Sequence, residues 1–102
     1  MSPGDVGPGR VADRLEQLAT RTTAGDWRVG GLLASRPEVV AHDDGRTEHV
    51  AEARAGSATW IAALSPAVAG PLAALLRAAG TADPPVAAAA AELARVLGDR
   101  LP

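Results

Sequence analysis

The chain contains no cysteine, no phenylalanine, no tyrosine and no lysine. Without cysteine there is no disulfide framework, no thiolate metal site and no sulfur nucleophile. With Trp27 and Trp60 as the only aromatic residues, nothing bulky is available to fill a core beyond the leucines, the valines and Ile61. Hydrophobic residues make up 47% of the sequence, but about half of these are alanine, which removes little apolar area from water per residue. The core must therefore be thin, and self-association is one way to cover more surface.

All ten basic residues are arginine, spread from Arg10 to Arg100, and the formal net charge is -2. Phosphate neutralisation needs a concentrated basic face, so this distribution argues against a nucleic-acid partner. At 102 residues the chain has the length of a single domain, which buries only about two-thirds of the surface its unfolded chain exposes. The opening MSPGDVGPGR is rich in Gly and Pro and lacks the basic start and apolar run of a secretory signal. A disordered lead-in over residues 1–9, a single small domain over 10–99 and a cytoplasmic location are the expectations.

The apolar positions Val11, Leu15, Leu18 and Thr22 form one stripe of a helix over Arg10 to Thr22. After Ala24-Gly25-Asp26, Trp27 and Val29 alternate with polar neighbours as in a half-buried strand, which Gly30-Gly31 bends or weakens. Two further alternating runs, from Glu38 to His42 and from Arg46 to Ala53, flank Asp43-Asp44-Gly45. An Asp-Gly pair between such runs predicts a hairpin, because the turn requires positive φ. A two-residue turn at Asp44-Gly45 sets His42 opposite Thr47 and His49 opposite Val40.

Beyond Arg54-Ala55-Gly56, Ser57 is placed to cap a helix from Ala58 whose buried face would be Trp60, Ile61 and Leu64. Ser65-Pro66 and Gly70-Pro71 read as further punctuation, and Leu72, Leu75, Leu76 and Ala79 as a helical stripe stopped at Gly80. Asp83-Pro84 opens a last helix with the stripe Val86, Ala90, Leu93 and Leu97. The fold class expected is α+β: an N-terminal helix, a small three-stranded antiparallel sheet, then three short helices. The seventeen residues from Trp60 to Leu76 carry no charge, but the Ser-Pro and Gly-Pro pairs and the weak insertion energy of alanine favour packed helices over a membrane span.

No stretch carries a specific chemical signature. His42 and His49, with Asp43 and Asp44, form the one grouping from which a divalent metal or hydrolytic site could be built. Ser35, Ser57 and Ser65 lie outside any Gly-x-Ser-x-Gly elbow, and Gly30-Gly31 lacks the remainder of a phosphate loop. The balance argues against an enzyme and calls for no cofactor. Trp27 and Trp60 read as core residues, either of which would become a partner contact if exposed. The candidate partner-binding residues are Trp27, Trp60, Leu72, Leu75 and Leu76, and the expected partner is another protein or a second copy.

Thr22-Thr23-Ala24-Gly25-Asp26-Trp27 resembles the Ala-Thr-Pro-Gly-Pro-Trp segment that follows the first helix in small phage and prophage proteins of the Ead type and their actinobacterial relatives. Asp26 and Ala24 stand where that family commonly has proline. The similarity continues through Ser57-Ala58-Thr59-Trp60-Ile61-Ala62-Ala63-Leu64-Ser65-Pro66, Val68 to Leu76 and Leu93-Ala94-Arg95-Val96-Leu97. It implies a phage- or prophage-associated accessory protein, with no catalytic residues to carry over.

Overall fold

The computed structural model describes residues 7–30 and 37–102, so Gly31 and Ser35 lie outside the described residues. The fold is α+β, with the order α1 (Pro8–Ala19), β1 (Asp26–Gly30), β2 (Glu38–Asp43), β3 (Arg46–Glu52), α2 (Ala55–Ala63), α3 (Ala69–Ala78) and α4 (Pro84–Gly98). Single 3-10 turns at Pro66–Val68 and Ala79–Thr81 precede α3 and follow it. The chain divides into two compact units: one holds α1, α3 and α4, the other the sheet and α2.

In the helical unit, α1 starts at Pro8, inside the stretch expected to be a lead-in, because proline at the first helical position needs no amide partner and has its φ preset. Val11 and Ala12 are buried, Leu15 packs against them, and the stripe stops being helical before Thr22. They meet Ala73, Leu76 and Ala79 from α3 and the turn after it, and Ala90 and Ala94 from α4. Gly70-Pro71 does not interrupt α3, since both residues sit in its first turn, where proline costs no hydrogen bond. Asp83 is the N-cap of α4 as expected. The buried stripe of α4 is nevertheless rotated: Ala90 and Ala94 are buried, Leu97 packs on them, and Val86 and Leu93 are exposed. Alanine at the contact lets helix axes approach closely, and the larger Val86 and Leu93 are turned out.

Two polar clasps tie this unit together. The Arg14 guanidinium donates to the carbonyls of Pro102 (3.0 Å), Leu101 (2.5 Å) and Gly98 (3.4 Å), which fastens α1 to the last residue of α4 and to the segment that follows it. Arg77 of α3 donates to Asp13 at 2.7 Å and also to Glu16, both on α1. Those hydrogen bonds, Glu16 first and then Asp13, push the Arg77 guanidinium above its ordinary value.

In the other unit the sheet order is β1-β2-β3, antiparallel throughout. Asp44 (φ 50°) and Gly45 (φ 78°) make the expected tight turn with both residues at positive φ. The pairs His42 with Thr47 and Val40 with His49 match the register anticipated from that turn. The register then shifts between Val39 and Val40, so that Ala51 pairs with Val39 and Val50 is skipped. That bulge moves Ala51 off the face of Thr47 and His49, where simple alternation had put it, and onto the face of Val39. Gly25 (φ 111°) leads into β1, and a Cβ there would stand 2.6 Å from the His42 carbonyl oxygen.

Val39 and Ala41, two apart and so on one face, are buried together with Ala58 of α2, which packs on β1 and β2. The opposite face carries the exposed side chains of Arg28, His42, Thr47 and His49 around a nearly buried Val40. Helix α2 begins at Ala55 with Arg54 as N-cap, and the Arg54 carbonyl accepts the Ala58 amide at 2.8 Å. Ser57 is therefore a first-turn residue and not the cap. The helix ends at Leu64, and the Ser65 carbonyl accepts the Val68 amide to form the following 3-10 turn.

Candidate interaction surface

Helix α2 contains no charged residue, and its apolar residues are distributed all round it. Such a helix cannot be oriented by segregation of polar from apolar side chains, and the sheet selects the face that fits closest. Ala58 takes that position and is fully buried, with Ile61 and Ala62 half-buried beside it. Trp60 lies nearly opposite Ala58 on the helical wheel and Leu64 follows one turn later, so both point outward. Trp60 is 69% exposed and Leu64 55% exposed. The expectation that Trp60, Ile61 and Leu64 form the buried face is corrected: only Ile61 is partly covered, because the small Ala58 allows a closer approach to the sheet than an indole would.

Around Trp60 the outward face is completed by small residues. Gly56, one turn earlier, has nothing within 4 Å of where a Cβ would sit. Ala63 is exposed, and the Thr59 hydroxyl donates to the Ala55 carbonyl at 3.0 Å, satisfying itself within the helix. The result is an exposed indole with open space beside Gly56 on one side and Leu64 on the other, on a helix without a charged residue. Contiguous exposed apolar surface centred on a tryptophan has the chemistry of an interaction site.

The other candidate residues separate. Trp27 is half-buried, and its indole N–H donates to the Thr23 carbonyl at 2.9 Å, fastening the start of β1 to the preceding turn. Leu76 is fully buried in the helical core and Leu72 packs against it, so neither is presented to a partner; of the three leucines only Leu75 is outward. The core of that unit is built largely from alanines, so the two leucines best placed on α3 are needed inside it.

The hairpin histidines each have a local partner. His42 Nδ1 lies 3.1 Å from the Thr47 hydroxyl, and His49 Nδ1 lies 2.6 Å from a Glu38 carboxylate oxygen. Asp43 and Asp44 do not join them: Asp43 alternates to the other face from His42 and Asp44 is in the turn. Among the described residues no group of three or more His, Asp or Glu side chains is placed to hold a metal ion. A depression of about 310 Å³ beside the hairpin is lined by Ala24, Ala41, Asp43, Arg46, Thr47 and Glu48. It contains no histidine, and its three charged side chains are all exposed, so none has the desolvated setting that prepares a group for acid–base work.

No family model, no curated protein and no solved structure matches the chain. The run Ala55–Thr81 is long and apolar enough to cross a membrane by length and composition, with a mean hydropathy of 1.6 over its most apolar 18 residues. It is not one regular helix, because Leu64 (φ -103°, ψ 38°) ends α2 and a 3-10 turn intervenes before α3. Sequence reasoning missed the outward face of α2 because hydropathy cannot tell Ala58 from Trp60 as the buried residue. The signal available was the size contrast: a helix lying on a sheet of Val and Ala favours its smallest side chains at the contact.

Proposed function

We infer that this protein is a non-enzymatic accessory module that works by binding another protein chain through the outward face of α2. The observation that carries the reading is Trp60, the largest kind of side chain in the sequence, left 69% exposed on a helix with no charged residue. Exposing an indole beside Leu64 forgoes hydrophobic stabilisation that burial would supply, and a partner recovers it; central tryptophans ringed by small residues are typical anchors of protein interfaces. The resemblance of Thr22 to Trp27 and of Ser57 to Pro66 to the Ead-type proteins supports a phage- or prophage-associated role.

The test is a pull-down of tagged protein from nuclease-treated lysate of a GC-rich bacterial host, run side by side with Trp60→Ser. The reading expects a protein retained by the natural chain and lost from the variant. Equal recovery by both would move binding away from α2. A metal or hydrolytic reading at His42 and His49 predicts divalent-metal uptake that disappears when both are replaced by alanine; among the described residues no group of three His, Asp or Glu side chains stands there.

A further inference from the structure

We propose that the hairpin tip is a site of spontaneous covalent modification: Asp44 closes on the Gly45 amide to a succinimide, which opens to isoaspartate and alters the turn that sets the β2–β3 register. The sequence holds no asparagine, and Asp44 is its only aspartate followed by glycine. Ring closure brings the carboxyl carbon of an aspartate onto the amide nitrogen of the next residue, and a side chain on that next residue obstructs the approach. Gly45 carries none, is exposed, and has nothing within 4 Å of where a Cβ would sit.

Both reacting groups are free. Among the described residues, the Gly45 amide donates to no acceptor and the exposed Asp44 carboxylate has neither a hydrogen bond nor a cation, so rotating one onto the other breaks no bond that either group makes. Asp44 is also the one non-glycine residue at positive φ there, a conformation that a residue with a Cβ holds at a cost. The other aspartates differ. Asp13 is held by Arg77 at 2.7 Å and precedes Arg14, Asp26 is held by Arg28 at 2.8 Å and precedes Trp27, and Asp83 precedes Pro84, whose nitrogen has no proton to release.

In the first step the Gly45 nitrogen bonds to Asp44 Cγ, and a carboxyl oxygen leaves as water with the amide proton and one proton taken up by the carboxylate. In the second, water adds to the α-carbonyl of the ring and breaks its bond to nitrogen. The chain then runs through Cβ and Cγ, and the α-carboxylate becomes the side group, so mass and charge are unchanged and nothing is oxidised. The main chain is longer by one carbon at a turn that requires two residues at positive φ. Pairing of Asp43 with Arg46 and of His42 with Thr47, set by that turn, is weakened.

The test keeps the full chain warm at neutral pH for several weeks, digests it, and fragments the peptides by electron transfer, which separates isoaspartate from aspartate at equal mass. Isoaspartate should accumulate at position 44 several-fold above the level at Asp13, Asp26 or Asp99, preceded by a species lighter by one water. Asp44→Asn, which also accepts positive φ and reaches the same ring with ammonia leaving, should isomerise faster, and Asp44→Glu, whose ring would be one atom larger, should not. In the isomerised fraction the Asp43 and Arg46 amides should exchange several-fold faster while those of α1 and α3 are unchanged. Isomerisation at position 44 no greater than at the other three aspartates overturns the site. Isoaspartate at position 44 with unaltered hairpin exchange overturns its effect on the register.

Discussion

The unit of α1, α3 and α4 hides its best apolar side chains, with Val11 and Leu76 fully buried among alanines, whereas the unit of the sheet and α2 leaves its largest side chain in solvent. Both solve the same problem, a sequence short of bulk. The helical unit closes by packing Val11 and Leu76 among alanines and adding polar clasps from Arg14 and Arg77. The sheet unit closes over Val39 and Ala41 with Ala58, and that close approach is what turns Trp60 outward. The helical unit also exposes Leu75, Val86 and Leu93, but only on α2 does an exposed aromatic stand with a second large apolar residue one turn away and no charge on the helix. The two units thus divide the apolar surface, one enclosing Val11 and Leu76 and the other leaving Trp60 exposed on α2.

That division can be broken from either side. The largest effect is expected from Leu76→Ala, which leaves a cavity where little else can collapse inward and should cost about 2–5 kcal/mol in urea unfolding. Gly25→Ala comes next: alanine at φ 111° is strained and its Cβ would meet the His42 carbonyl, so a loss of about 2 kcal/mol or more and weakened amide protection along β1 and β2 are expected. Arg14→Ala removes the tie from α1 to the carbonyls of Leu101 and Pro102 and should cost about 1–2 kcal/mol, with faster amide exchange in the segment after α4. Trp60→Ser should shift stability by no more than about 0.5 kcal/mol while abolishing binding. A loss as large as that of Leu76→Ala would mean the indole belongs to a core.

The smallest effect is electrostatic. On α4, Arg95 donates to Glu92 at 2.6 and 3.1 Å, and these hydrogen bonds, reinforced by its charge, hold the Glu92 carboxyl below its ordinary value of 4.5. A carboxyl whose folded pKa is depressed contributes stability that is complete above its unfolded pKa and is lost as pH falls through the lower folded value. Helicity measured by circular dichroism should therefore decline slightly more in the natural chain than in Glu92→Gln as pH is taken from 4.5 downward.

The parts legible in the sequence were those fixed by backbone chemistry. Asp44-Gly45 announced the hairpin because few residues accept positive φ, and its two-residue length set His42 against Thr47. Asp83-Pro84 announced the start of α4 because proline at the first helical position has its φ preset and needs no amide partner. What was not legible was the rotation of helices rich in alanine. In α4 the stripe through Val86 and Leu93 is the more apolar one, yet Ala90 and Ala94 are buried, because the choice depended on how closely neighbouring helices could pack. In α2 the ambiguity was complete, and with it the candidate site, because the question of which residue faces outward is the question of function here. Gly70-Pro71 misled for a related reason: the pair marks a helix start only once the position of the first turn is known.

The central claim is that α2 presents Trp60 for binding, and site-specific photo-cross-linking tests it most directly. A photoreactive phenylalanine analogue is placed at position 60 and, in a second protein, at Thr47 on the open polar face of the sheet, and each is irradiated in cells. Adducts of discrete mass from position 60, with none from position 47, are the predicted result. Adducts from position 47 alone, or none above background from position 60, would contradict the assignment of α2 as the binding surface.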